Sequence, residues 1–226
     1  MNDAEKRLII RDASTVILLR KRAGQDQVLM GQRGAKAVFM PNKYVFPGGA
    51  VDMQDYDITP ATPIASPEAA KLAKDAPDGI VSALAMAAVR ELWEETGLML
   101  GQSGVASGAV PADWQGFYDK GLAPCADALR FIFRAVTPPG RPRRFDARFF
   151  IADSAAVHGA DDDFSEASDE LSHLHWIDLS EAKSLDLPFI TEVVLSEVMA
   201  ILDVPHITRK TPYFNHDDER SHFSLL

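Results

Sequence analysis

One cysteine in 226 residues, Cys125, excludes an intrachain disulfide and any cysteine-built metal cluster. Nowhere does an apolar run approach the roughly 20 residues that a membrane-spanning helix requires. The opening Met1-Asn2-Asp3-Ala4-Glu5-Lys6-Arg7 lacks the basic, apolar and small-residue order of a secretory signal. The closing Phe223-Ser224-Leu225-Leu226 is no convincing peroxisomal address. Positive charge is also scarce. Against 33 Asp and Glu stand 23 Lys and Arg, a formal charge of −10 that argues against broad contact with nucleic-acid backbone or anionic membrane. Six histidines are scattered, and only His173 and His175 have a spacing that could suit a metal. Ordinary surface or core roles fit them better. These deficits leave a cytoplasmic globular chain as the expectation, with a hydrophobic fraction of 46% ample for a sizeable core.

The most informative stretch is Arg90-Glu91-Leu92-Trp93-Glu94-Glu95-Thr96-Gly97-Leu98. Glu91, Glu94 and Glu95 are related by i, i+3 and i+4, so a helix carries them on one face. Gly97 is suited to end that helix. Anions one turn apart repel, and anions near a helix C-terminus oppose its dipole, each at a cost of about 0.3–1 kcal/mol. A hard divalent cation reverses the sign of both terms, since magnesium and manganese prefer carboxylate oxygen and also bind substrate phosphates. The alternative is a solvated acidic helix end with Arg90 as its counter-ion.

Around this stretch the chain alternates strand and helix signals. Asp12 to Arg20 and Gln27 to Arg33 form a hairpin across Ala23-Gly24-Gln25-Asp26, and Tyr44 to Phe46 is a short third strand. Pro60, Pro63, Pro67 and Pro77 mark a loop from Met53 to Asp78 that carries one helix, about Pro67 to Lys74, capped by Ser66. Ile80 to Thr96 is the long helix, with an apolar stripe of Val81, Leu84, Ala85, Ala88, Val89 and Leu92 opposite the acids. Pro111 to Lys120 is a further helix. Leu129 to Thr137, Arg144 to Ala152 and Leu174 to Ile177 are strands, and Ser180 to Leu185, capped by Ser180, and Thr191 to Leu202 are helices. The segment from Pro205 onward has the polarity of a loop-like tail. Periodicity alone implies only mixed α and β structure.

The run from Arg90 to Leu98 resembles the second half of the Nudix box, G-x5-E-x7-R-E-U-x-E-E-x-G-U with U aliphatic. Arg90, Glu91, Leu92, Glu94, Glu95, Gly97 and Leu98 all match. The first half does not follow at the usual spacing: Ser82 stands where the family has Glu, and Ala76 where it has Gly. Upstream, Phe46-Pro47-Gly48-Gly49 is similar to the opening of the box, and five residues beyond Gly49 comes Asp55, an acid one methylene shorter than the family's Glu. Between Asp55 and Arg90 lie 34 residues in place of seven. An insertion of this kind resembles the Nudix branch that includes the peroxisomal coenzyme A diphosphatases. Phe39-Met40-Pro41, the run Tyr44 to Gly49 and Ala87-Ala88-Val89 are also similar to that branch.

The resemblance implies an α/β fold, the Nudix α/β/α sandwich with a mixed sheet. It would be a single domain over 1–226 with an insertion at about 56–78 and a polar tail from about 205. It implies hydrolysis of the diphosphate linkage of a nucleoside diphosphate derivative, with Mg2+ or Mn2+ held by Glu91, Glu94 and Glu95. Arg90, Glu94 and Glu95 would serve catalysis, and Asp55 would be a weaker ligand or a structural support. Glu170 would be a further ligand or a general base, against the alternative of a surface charge in an acidic loop with Asp161, Asp162, Asp163 and Glu166. Gly48 and Gly49 would let phosphate oxygens approach the backbone, or would simply make a turn. Arg141, Arg143, Arg144 and Arg148 form a basic island. Arg143 and Arg144 would grip the 3′-phosphate of coenzyme A, against the alternative of a solvated hairpin loop.

Three functions follow: a coenzyme A or acyl-coenzyme A diphosphatase; a hydrolase of ADP-ribose or a dinucleotide; or, in another class, a Nudix-fold ligand-binding regulator without catalysis. The intact glutamate set argues against the third. The implied partner is a small-molecule nucleotide, with no nucleic acid and no membrane expected and a homodimer possible.

Overall fold

The computed structural model describes residues 9–35, 37, 40–74, 76–205, 209–216 and 220–226. Phe39, part of the branch resemblance, lies outside the described residues. Strand β1 (Ile10–Arg22) turns through Ala23 and Gly24 into β2 (Gln25–Arg33), the expected hairpin. Then come β3 (Tyr44–Val45) and β4 (Gly48–Ala50), a 3-10 turn (Met53–Asp57), helix α1 (Ser66–Leu72) and the long helix α2 (Ile80–Thr96). Beyond α2 lie β5 (Gly101–Ser103), helix α3 (Gln115–Asp119), β6 (Leu122–Pro124), β7 (Arg130–Val136), β8 (Arg144–Asp153) and β9 (Leu171–Asp178). Helices α4 (Leu179–Ala182) and α5 (Phe189–Asp203) precede β10 (Pro212–His216) and β11 (Ser221–Leu225).

The central sheet runs β11-β10-β7-β8-β1-β2-β3, with β4 also on β1 and β9 on β2. It is mixed: β1 lies parallel to β8 and β7 parallel to β10, while the other pairs are antiparallel. Side-chain alternation sorts β1 between two cores. Val16 and Leu18 face α2 together with Leu29, Trp114 and Phe117, whereas Ile17 and Leu19 face α5 together with Val28 and Met30. Each buried Leu, Val or Ile contributes about 1.5–3 kcal/mol, and helices cover both faces, which makes the expected α/β/α sandwich.

Helix α2 departs from the expected one-sided stripe. Ala83, Leu84, Ala85, Met86, Ala87 and Ala88 are consecutive and all buried. The sheet covers one side, and α1, Trp114 and Phe117 cover the other. The helix between Pro111 and Lys120 is shorter than expected, a 3-10 turn over Ala112–Trp114 leading into α3, set by the burial of Trp114 and Phe117. Neither Ser66 nor Ser180 acts as a cap. Each lies inside its helix, and Ala65 and Asp178 occupy the cap positions without a side-chain bond. The largest correction is at the C-terminus, where residues expected to be a loop-like tail form β10 and β11 and extend the sheet beyond β7.

The long segment between β4 and α2 is fastened to the body of the fold. Ala61 N–H donates to the Pro124 carbonyl, Ala126 N–H to that of Thr62, and the Phe131 N–H to the Glu68 carboxylate.

Candidate active site

At the C-terminal end of α2, Arg90 is the organising side chain, 6% exposed. Its Nε and Nη2 donate to the two carboxylate oxygens of Asp55 at 2.9 and 3.0 Å, a fork matched to a fork. Nη1 donates to Glu91 at 3.0 Å and to Glu94 at 2.9 Å, and Nη2 also reaches the Ala50 carbonyl at 3.1 Å. Burial works against the Arg90 charge, but the bond to Asp55 and the charges of Glu91, Asp55 and Glu94 prevail and raise its pKa. Asp55 is fully buried and also accepts from Trp114 Nε1 and the Asp52 N–H. Of its two expected roles the structure realises the support. Despite the 34 intervening residues, Asp55 and Arg90 meet.

Glu95 faces the other way. It is 2% exposed, and one oxygen accepts from the Gly48 N–H at 2.8 Å while the other is buried with no partner. Burial above all, and then the Glu91 charge, push its pKa well up, with the Gly48 bond opposing. Burial likewise lifts Glu91 to about 7, against the pull of Arg90. Glu94, more open, is raised by burial too. The glycines earn their places by close approach. A Cβ on Gly49 would sit 2.3 Å from the Glu91 Oε1, and one on Gly48 2.4 Å from the Ser14 carbonyl. Where β4 passes the helix end there is room only for backbone and carboxylate.

Among the described residues, no group of three or more His, Cys, Asp or Glu side chains is placed to hold a metal ion by itself. Magnesium does not need one, because it keeps several waters and takes one or two carboxylates plus substrate phosphate. The donor set fits such an ion: Glu91, Glu94 and Glu95 are hard oxygen donors, and a buried Glu95 oxygen has no partner. A divalent cation would relieve the burial and repulsion that raise their pKa values.

A cleft of about 760 Å³ opens from this point. Glu91, Arg90, Gly48 and Gly49 line one end. Glu170 also lines it, and its charge contributes to the raised pKa values of Glu91 and Glu95. The acidic loop is held there by the Ser168 N–H, which donates to the Glu94 carbonyl, and by the Lys120–Glu166 ion pair. Sequence reasoning missed Arg33. It donates to Glu170 at 3.0 Å, and its buried Nε has no partner. It stands at the end of β2, where no sequence motif marks it. Arg11 also lines the cleft and was not foreseen.

The basic island divides. Arg141 and Arg143 line the cleft together with Phe145. Arg144 does not belong to that lining: its Nε is tied to the Thr137 carbonyl at 3.0 Å. Arg148 is 1% exposed and paired with Asp12 and Asp146. The parity of β8 separates them, since Arg143, Phe145, Ala147 and Phe149 line the cleft while Arg144, Asp146 and Arg148 alternate with them. His173 and His175 lie outside the lining, and His175 packs edge-on against Tyr44.

A sheet between two helical layers, with a glutamate-bearing helix end set against the glycines of β4, is a Nudix-type arrangement. The chain is 28% identical to a Nudix hydrolase from Alicyclobacillus acidocaldarius, with a TM-score of 0.62 over 85% of this chain and 92% of that one. It is 31% identical over 185 residues to the putative nudix hydrolase 7 of Caenorhabditis elegans, a match covering 76% of this chain and 52% of the relative, so it spans about half that protein's length. No family model matches. The chain belongs to the Nudix hydrolase superfamily.

Proposed function

We propose that this chain is a metal-dependent hydrolase that cleaves the diphosphate linkage of a nucleoside diphosphate derivative, with coenzyme A or an acyl-coenzyme A as the preferred substrate. The observation that carries the reading is the buried, unpartnered oxygen of Glu95, which lies behind Gly48, while Gly48, Gly49 and Glu91 line the cleft. A fold optimised for stability alone would not keep an uncompensated buried acid there.

Glu91, Glu94 and Glu95 would hold Mg2+ or Mn2+. When bound, such an ion neutralises phosphate charge and makes water a better nucleophile. The residues supply the rest. Arg90, anchored by Asp55, fixes Glu91 and Glu94. The bare β4 backbone leaves room for the Glu91 carboxylate at the cleft wall, and Arg33 offers an N–H to a diphosphate oxygen. Water attacks one phosphorus in line, a P–O bond forms, and the bridging P–O bond breaks. The proton passes to a carboxylate of the cluster, and Glu170 at the cleft edge is the candidate base.

At the far end, Arg143 with Arg141 beside it suits a phosphate remote from the scissile bond, such as the 3′-phosphate of coenzyme A. Arg144 drops out of this role. The test is a panel of coenzyme A, dephospho-coenzyme A, ADP-ribose and dinucleotides with magnesium or manganese, with products identified by mass. Coenzyme A should exceed dephospho-coenzyme A by roughly ten- to a hundredfold, the worth of a charge-assisted contact, and Arg143→Ala should erase that margin through KM. Faster cleavage of ADP-ribose would move the substrate reading there, and turnover undiminished by chelator would end the metal role.

A further inference from the structure

The end of the cleft farthest from the glutamates carries aromatic rings that diphosphate hydrolysis does not use. Phe189 opens α5 and is 67% exposed, although it lines the cleft. Its ring lies 6.4 Å from Phe214 on β10, and Phe214 lies 4.6 Å from the His216 ring. All three line the same cleft. Exposed apolar side chains are common on any surface. Met53 and Val105 are more exposed than Phe189 but line no part of this cleft. Phe189 differs because its support is rigid. It follows Pro188 at the first turn of a helix, where the Thr191 N–H caps back onto the Pro188 carbonyl. Phe214 is fixed by the sheet, opposite Ala135 on β7.

Spacing adds to this. From β4 to β10 the sheet takes four steps, through β1, β8 and β7. At roughly 4.8 Å per step β10, which carries Phe214, lies about 19 Å along the sheet from β4. A substrate reaching both ends is long and extended, with anionic groups at the acid end and past Arg143. Its far terminus meets aromatic rings. His216 adds a neutral aromatic edge: burial, together with Arg144 and His222, holds its pKa below the usual value, and its Nδ1 is engaged by Ser221 at 2.9 Å.

We propose that Phe189 and Phe214 form a stacking platform for the nucleobase of the substrate, which makes the C-terminal hairpin and the start of α5 its specificity-determining elements. This rests on the reading of the cleft as a nucleotide site, but it is separable from hydrolysis. Aliphatic chains would also bury apolar area here. A planar base gains more, because offset and edge-on aromatic contacts add to area burial.

Calorimetric titration in chelator with AMP and with ribose 5-phosphate isolates the base, since the two share ribose and phosphate. The wild-type chain should favour AMP by on the order of tenfold or more, the usual worth of stacking on an aromatic side chain. Phe189→Ala and Phe189→Leu should both remove the preference, and Phe189→Trp should keep it. In turnover assays Phe189→Ala should raise KM more than it lowers kcat. Equal binding of the two ligands by wild type overturns the platform. So does a Phe189→Leu variant that retains the preference, which would assign the rings to an aliphatic chain. Turnover of diphosphates without an AMP preference would sink the platform and spare the hydrolase reading, and an AMP preference without turnover would do the reverse.

Discussion

Two clusters of charge are wholly or partly buried in this molecule, and they are built on opposite principles. Beneath β7 and β8, Arg134 and Arg148 meet Asp146 and Asp12, two cations against two anions. Arg134 forks onto Asp146 at 2.9 and 2.7 Å, and Arg148 bonds Asp12 and the Asp146 carbonyl. Leftover donors are used as well, down to the Lys74 carbonyl. At the end of α2, Arg90 and Arg33 face Asp55, Glu91, Glu94, Glu95 and Glu170. Cations are outnumbered, one glutamate oxygen and one arginine nitrogen have no partner, and carboxyl pKa values rise. The balanced cluster holds strands together. The unbalanced one makes sense when positive charge arrives from outside.

The comparison breaks most visibly at Asp146. Asp146→Ala leaves Arg134 and Arg148 short of a buried anion, and should cost about 3 kcal/mol of stability, read as a lower urea midpoint with activity per folded molecule retained. Glu95→Gln should do the opposite. Turnover should fall by roughly a hundredfold or more, as loss of a metal ligand or base does. In chelator its melting temperature should match or exceed that of wild type, because an acid that burial disfavours when ionised is gone. If Glu95→Gln unfolds the chelated protein, Glu95 belongs with the structural cluster.

The smallest effect lies in pH. Folded Glu91 and Glu95 keep protons that the unfolded chain releases above the ordinary value of 4.5, so this contribution to stability is present at low pH. It is lost as pH rises through about 7 for Glu91. Chelated wild type should therefore melt at progressively lower temperature from pH 5 to pH 8, and Glu95→Gln should flatten that slope. A slope identical in both proteins would remove Glu95 from the account.

What the sequence disclosed follows the reach of its signals. Helix α2 was legible at its C-terminal end because Gly97 takes a left-handed φ of 78° just past it, donating to the Trp93 carbonyl. The β1–β2 hairpin was legible because its pairing is local. Strands β4, β10 and β11 were not, since they are short and β4 and β10 are defined by partners far along the chain. The glutamates were legible as a motif, whereas Arg33 and Arg11 sit in strands without one. Arg144 was misplaced by counting a run of arginines as one patch, although strand parity sends neighbours to opposite faces.

The bond between Asp55 and Arg90 closes a loop over the whole segment between them. Chain entropy charges little for length: going from seven residues to 34 adds about 1.4 kcal/mol on a logarithmic scale. The contacts of Thr62, Glu68 and Lys74 with the body of the fold offset a cost of that size. Length in this segment is therefore nearly decoupled from the glutamate geometry. Material can be added between the clasped ends, whether by natural divergence or by splicing in a reporter peptide, and the carboxylates on α2 stay where Asp55 holds them.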